Sequence, residues 1–80
     1  MRVPMLYLVK INNEKNQRRF YSLHLAPMLF GGWSLVREWG RLGSGGTLRV
    51  DPFETEQEAL AEFDKVKAAK EKGGYISLNQ

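Results

Sequence analysis

Arg37, Trp39 and Arg41 alternate along the chain, and in a strand that alternation sets guanidinium, indole and guanidinium on one side. The trio suits one chemistry: arginines pair with phosphate while a flat ring stacks on a base. Gly40, between Trp39 and Arg41, is a natural place for the strand to bend. Arg18 and Arg19 stand just before Phe20-Tyr21, where they offer two unspecific phosphate contacts or, in the plainer reading, guard a strand edge as solvated cations. Trp39 also has a plainer reading, burial beside Trp33 and Leu35, but two arginines flanking a buried ring would then need partners of their own. Spacing alone leaves both readings of Trp39 open; of the two tryptophans, Trp33, next to Met28, Leu29 and Phe30, is the better core candidate.

Other chemistries lack the groups they need. Catalysis requires a nucleophile held against a base, paired carboxylates or a set of metal ligands. His24 is the only histidine, cysteine is absent, and most of the acids, from Asp51 to Asp64, fall on or near a helix whose solvated face explains them. The glycines from Gly40 to Gly46 lack the Lys-Ser or Lys-Thr ending of a phosphate loop and lie between two strands, so they read as a hairpin turn. The expectation is a non-enzymatic chain with no cofactor and no metal.

The elements that must position these residues follow from periodicity. Met5 to Ile11 is a run of strand formers followed by the turn residues Asn12 to Asn16, and Arg19 to Leu25 alternates cleanly, with Tyr21, Leu23 and Leu25 on one parity. Residues 26 to 32 hold Pro27 and Gly31-Gly32 and read as an irregular connection, with Met28, Leu29 and Phe30 folding under the sheet. Trp33 to Arg41 is the next strand and Thr47 to Val50 its hairpin partner, closed by Pro52. Thr55 and Glu58 have capping-box spacing, and Ala59, Leu60, Phe63, Val66 and Ala69 or Lys70 recur at helical intervals before Gly73-Gly74. Tyr75 to Leu78 adds a short edge strand. The fold class is α+β: a small antiparallel sheet of four to five strands with one helix packed on one face.

Composition sets the outer bounds. With 80 residues, 42% hydrophobic and 26% charged, the chain suits one domain, residues 1–80, with a thin core and no covalent staple. No apolar stretch approaches a membrane span and the N-terminus has no secretory pattern, so a soluble, cytoplasmic monomer is expected. The net charge of +3 is modest, but residues 1 to 50 carry eight Lys and Arg against only Glu14 and Glu38. The first half therefore presents a basic surface.

The order of motifs resembles the WGR domain family, named for a tripeptide that stands here as Trp39-Gly40-Arg41. Phe20 to Leu25 is similar to the family's aromatic strand, Trp33 to Gly43 to its central stretch, and Ala59, Phe63 and Lys72-Gly73-Gly74-Tyr75 to its close. Such modules occur in DNA-dependent poly(ADP-ribose) polymerases, where they grip DNA breaks and touch neighbouring domains, and as stand-alone bacterial proteins. The resemblance implies that Trp39 stacks on a terminal nucleotide, that Arg41 lies close by for phosphate or inter-domain contact, and that Gly40 permits close approach. Polymerase relatives often carry an asparagine where this chain has Arg18-Arg19, which substitutes charge for a specific hydrogen bond. Together these readings make the chain a nucleic-acid-binding module, DNA before RNA, using Arg18, Arg19, Arg37, Trp39, Gly40 and Arg41 without reading base sequence. The alternative is a protein–protein interaction module using the same face.

Overall fold

A computed structural model describes residues 5–78; Arg2, part of the basic half, lies outside them. Five strands and one helix follow in order: β1 (Met5–Asn12), β2 (Gln17–Pro27), β3 (Trp33–Arg41), β4 (Thr47–Phe53), α1 (Glu56–Lys72) and β5 (Ile76–Ser77). The sheet order is β4-β3-β2-β1-β5 and every pairing is antiparallel. The helix carries the chain from the β4 edge to the β1 edge, where β5 joins, so the fold is α+β as the periodicity predicts.

Register decides which side chains meet the helix. Leu8 pairs with Tyr21, Tyr21 with Trp39 and Trp39 with Thr47, so their row lies on one face, and the row through Leu6, Leu23, Arg37 and Arg49 lies on the same face. Leu8, Leu23, Leu25 and Leu35 are fully buried there under Ala59, Phe63 and Val66 of α1. Completely burying a leucine removes it from water at a gain of ~1.5–3 kcal/mol, which makes these four the main anchors of the layer contact. The helix starts where the capping box requires: Glu58 N–H donates to Thr55 Oγ1 at 3.1 Å and Thr55 N–H donates to Glu58 Oε1 at 3.3 Å. It stops at Gly73, whose N–H still reaches Ala69 O, and Lys70 rather than the exposed Ala69 continues its inward stripe. Leu60, expected in that stripe, lies at its margin and is 38% exposed.

Two local expectations fail. Met28, Leu29 and Phe30 do not fold under the sheet; Leu29 is 89% and Phe30 97% exposed. The strands run further than expected, to Pro27 opposite Trp33, so the five intervening residues form a tight loop closed by Met28 N–H to Gly32 O. Gly31 and Gly32, at φ of +103° and +85°, turn that loop outward, and a connection so short has no slack to reach the core. Pro52 likewise does not close β4, which continues to Phe53 with Pro52 opposite Ser34. β4 is an edge strand, where a missing ladder donor costs little.

Candidate nucleic-acid interface

The helix crosses its sheet face diagonally. Glu62 meets Arg37 on β3, Lys70 sits over Tyr21 on β2, and Gly74 lies against Lys10 on β1. One corner of the face, where β2, β3 and β4 approach Arg19, Arg41 and Thr47, is left without a roof. An open cleft of about 500 Å³ occupies it, lined by Arg19, Tyr21, Arg37, Trp39, Gly40, Arg41, Arg49, Lys70 and Tyr75.

Its floor is aromatic. The rings of Tyr21 and Trp39 stack with centroids 5.5 Å apart and planes at 13°, and Tyr75 meets Tyr21 edge-on at 6.3 Å. Lys70 Nζ lies 4.4 Å from the Tyr21 ring centre and 5.7 Å from that of Tyr75, a cation held by ring faces instead of by a carboxylate. Tyr21 is buried, whereas Trp39 is half-buried and lines the opening. Trp33, the other ring, is also half-buried, so exposure does not separate the two; surroundings do. Trp33 lies opposite Pro27 and Phe53 at the far end of the sheet, away from the arginines.

Five cations line the cleft, and they differ in company. Arg37 Nη2 lies 3.0 Å from Asp51 Oδ2 and 3.4 Å from Glu62 Oε2, and Arg49 Nε lies 3.0 Å from Asp51 Oδ1. Burial is the largest influence on the Arg37 guanidinium and works to lower its pKa, but hydrogen bonding and charge from Tyr21, with the charges of Asp51 and Glu62, outweigh it and raise it. Arg37 Nε and Asp51 Oδ2 are buried without a hydrogen-bond partner, so the 3.0 Å contact of Asp51 Oδ2 is one of charge more than of aligned donors. Asp51 and Glu62 are therefore not merely parts of a solvated acidic face, as their clustering near the helix suggests. They neutralise the middle of the cleft wall and tie β4 and α1 to β3.

Arg19 and Arg41 have no such company. They face each other directly across β2 and β3, and among the described residues no carboxylate pairs with either. Arg41 donates from Nη1 to Asn16 O at 3.2 Å and from Nη2 to Asn16 Oδ1 at 3.4 Å, both uncharged acceptors on the β1–β2 turn. Like charges directly opposite in a sheet are destabilising, so the pair is a standing electrostatic cost that an anion would relieve. Gly40 is fixed by internal packing: a Cβ there would lie 3.1 Å from Gly46 Cα and 3.4 Å from the Phe20 ring, because the β3–β4 turn folds back over it.

Of the residues singled out from the sequence, Arg19, Arg37, Trp39, Gly40 and Arg41 line this one cleft. Arg18 does not, because neighbouring strand residues point to opposite faces and its register partner is Ile11. Tyr21, Arg49, Lys70 and Tyr75 were not singled out. The parity of Tyr21 with Arg19 and of Arg49 with Thr47 was available as a signal, whereas Lys70 and Tyr75 reach the cleft only through the helix's path.

The sequence profile of the WGR domain matches residues 5–80. An uncharacterized protein of Sinorhizobium fredii, y4dW, is 36% identical over 70 residues, which cover 88% of this chain and 34% of that protein. This chain thus spans about a third of that relative's length. No solved structure gives a significant match. No helix among the described residues is long and apolar enough to cross a membrane. With the profile covering nearly the whole sequence and the family tripeptide lining the cleft, the chain belongs to the WGR domain family.

Proposed function

We propose that this chain binds nucleic acid, DNA in preference to RNA, in the cleft between Arg19, Arg41 and the Tyr21–Trp39 stack. The carrying observation is the cross-strand pair Arg19 and Arg41, unneutralised by any described carboxylate and set beside a half-buried ring. Phosphate bridges the two guanidinia, relieving their repulsion, while an unpaired or terminal base stacks against Trp39. Lys70 and Arg49 add positive charge on the facing walls. Arg37 has a supporting part, since its charge is already balanced by Asp51 and Glu62. None of these groups is arranged to distinguish one base pair from another, so affinity rests on the backbone and on stacking. WGR modules of other proteins bind nucleic acid, which accords with this reading.

Fluorescence anisotropy with labelled blunt duplex, nicked duplex and single strand, each at two salt concentrations, tests it. Binding should weaken steeply with salt, and the double variant R19Q/R41Q should reduce the slope by about two units. Binding that ignores salt, or none at all, would leave the protein-interaction reading in its place.

A further inference from the structure

No helix or second sheet among the described residues covers the face of the sheet opposite the helix; only its Phe20–Gly40 corner is closed, by the Tyr7 ring and the β3–β4 turn. By register it holds the rows Met5–His24–Val36–Val50 and Tyr7–Ser22–Glu38–Leu48, then Val9–Phe20–Gly40 with Ile76 at the edge. Six large apolar side chains on it, Met5, Ile11, Leu48, Val50, Ile76 and Leu78, are 51% to 67% exposed. Tyr7 is a seventh, at 36%, stacked on Phe20 at 5.9 Å. Seven of the eleven exposed large hydrophobics among the described residues thus share one side of the sheet, so the exposure is a patch and not scatter.

We infer that this face is where a second copy of the chain docks, sheet against sheet, to form a dimer. Its charge favours a copy of itself: the formally charged strand residues on it are Arg18 and Glu38, opposite in sign, so two copies bring no net charge into the contact. Its size suffices. Four strands ~4.8 Å apart and seven to eleven residues long, with the two-residue β5 beside them, give a footprint of roughly 600 Å² per copy, hence roughly 1,200 Å² in all, at the lower bound of stable interfaces. Association through an edge is the less available route, because β4 carries Pro52 and the Arg49–Asp51 ion pair and β5 has only two residues. Identical patches meeting about a two-fold axis close on themselves, so assembly stops at two. Both clefts lie on the helix-covered faces and point outward from the dimer, which gives two binding sites in one particle. Self-association stands independently of the proposed function, since none of the six exposed apolar residues lines the cleft.

Sedimentation velocity of the full chain over a wide concentration range tests the dimer, alongside the variants Val50→Glu and Ile76→Glu. Both positions are more than half exposed and sit on opposite edges of the face, so the variants should fold, as circular dichroism can verify. The parent should pass from monomer to dimer at micromolar concentrations, and each folded variant should need about ten-fold more protein or remain monomeric. A parent that stays monomeric at its highest soluble concentration overturns the proposal. So does a species larger than a dimer, or a dimer that both variants leave unchanged.

Discussion

Two cross-strand arginine pairs stand on the same sheet face with the same chemistry and opposite circumstances. Arg37 faces Arg49 across β3 and β4, with Asp51 touching both and Glu62 reaching down from the helix; Arg19 faces Arg41 across β2 and β3, and no acid among the described residues pairs with either. The first pair is closed into the architecture by carboxylates, whereas in the second Arg41 has only the uncharged acceptors of Asn16 and the mutual repulsion is left standing. Charge count alone would rank them equal. Neutralisation by residues distant in sequence marks Arg37 and Arg49 as structural cations, and its absence at Arg19 and Arg41 is what the proposed function rests on.

The largest expected effect tests what closes the first pair. Phe63 is buried at the centre of the helix–sheet contact, one residue after Glu62. Phe63→Ala should cost ~3–5 kcal/mol, read as a large fall in Tm, because the helix loses its main anchor and with it the hold on Arg37. A melting temperature close to the parent's would show that the helix is not what secures that wall.

The next prediction sharpens the second pair. Trp39→Ala should weaken nucleic-acid binding by roughly five- to hundred-fold, as stacking worth ~1–3 kcal/mol is lost, with the domain still folded. Trp33→Ala, at the far end of the same strand, should lower Tm and leave the affinity of the folded fraction unchanged. Anisotropy and thermal melting on both variants check this, and interchanged phenotypes would assign the rings the other way round.

A direct contrast comes third. Arg37→Gln should destabilise by about 2 kcal/mol, between the values for exposed and fully buried ion pairs, since Asp51 and Glu62 lose their partner. Arg41→Gln should leave Tm unchanged or raise it slightly, while lowering affinity. Denaturant melts and binding on the two variants decide whether the distinction between the pairs holds. The smallest effect separates neighbours on one strand: Arg19→Gln should reduce the salt slope by about one unit, whereas Arg18→Gln, on the opposite face, should leave it unaltered.

Much of this arrangement was legible in the chain. Alternation from Arg19 to Leu25 and from Trp33 to Arg41 placed two strands and their inward faces, and the Thr55–Glu58 spacing marked the helix start, because these signals are local. Arg18 parts company with Arg19: its charge suggests a role beside that residue, yet adjacent strand residues do not share a face. The partners of Arg37 come from β4 and α1, and no local pattern announces a salt bridge between positions so far apart. Met28, Leu29 and Phe30 read as core because they are apolar, but the strand ends at Pro27 and Trp33 left the loop too short to turn inward. The bare face was equally hidden, since alternating apolar residues on both parities look the same whether or not a second layer covers them.

The end of the helix has a dynamic consequence. Tyr75 N–H donates to Lys70 O at 3.0 Å, and Gly73 and Gly74 donate to Ala69 and Glu71, so the last turn and the chain beyond it are joined by one short ladder. Lys70 and Tyr75 both rest on Tyr21. When that turn frays, as helix ends do at small free-energy cost, both leave the cleft in a single opening event. The cleft's inner wall is thus expected to open as one unit, and a ligand that engages Lys70 would hold it shut. Amide exchange at Gly73, Gly74 and Tyr75 should slow together when the cleft is filled, while the amides of Leu23 and Leu35, deep in the sheet, keep the rates of the global equilibrium.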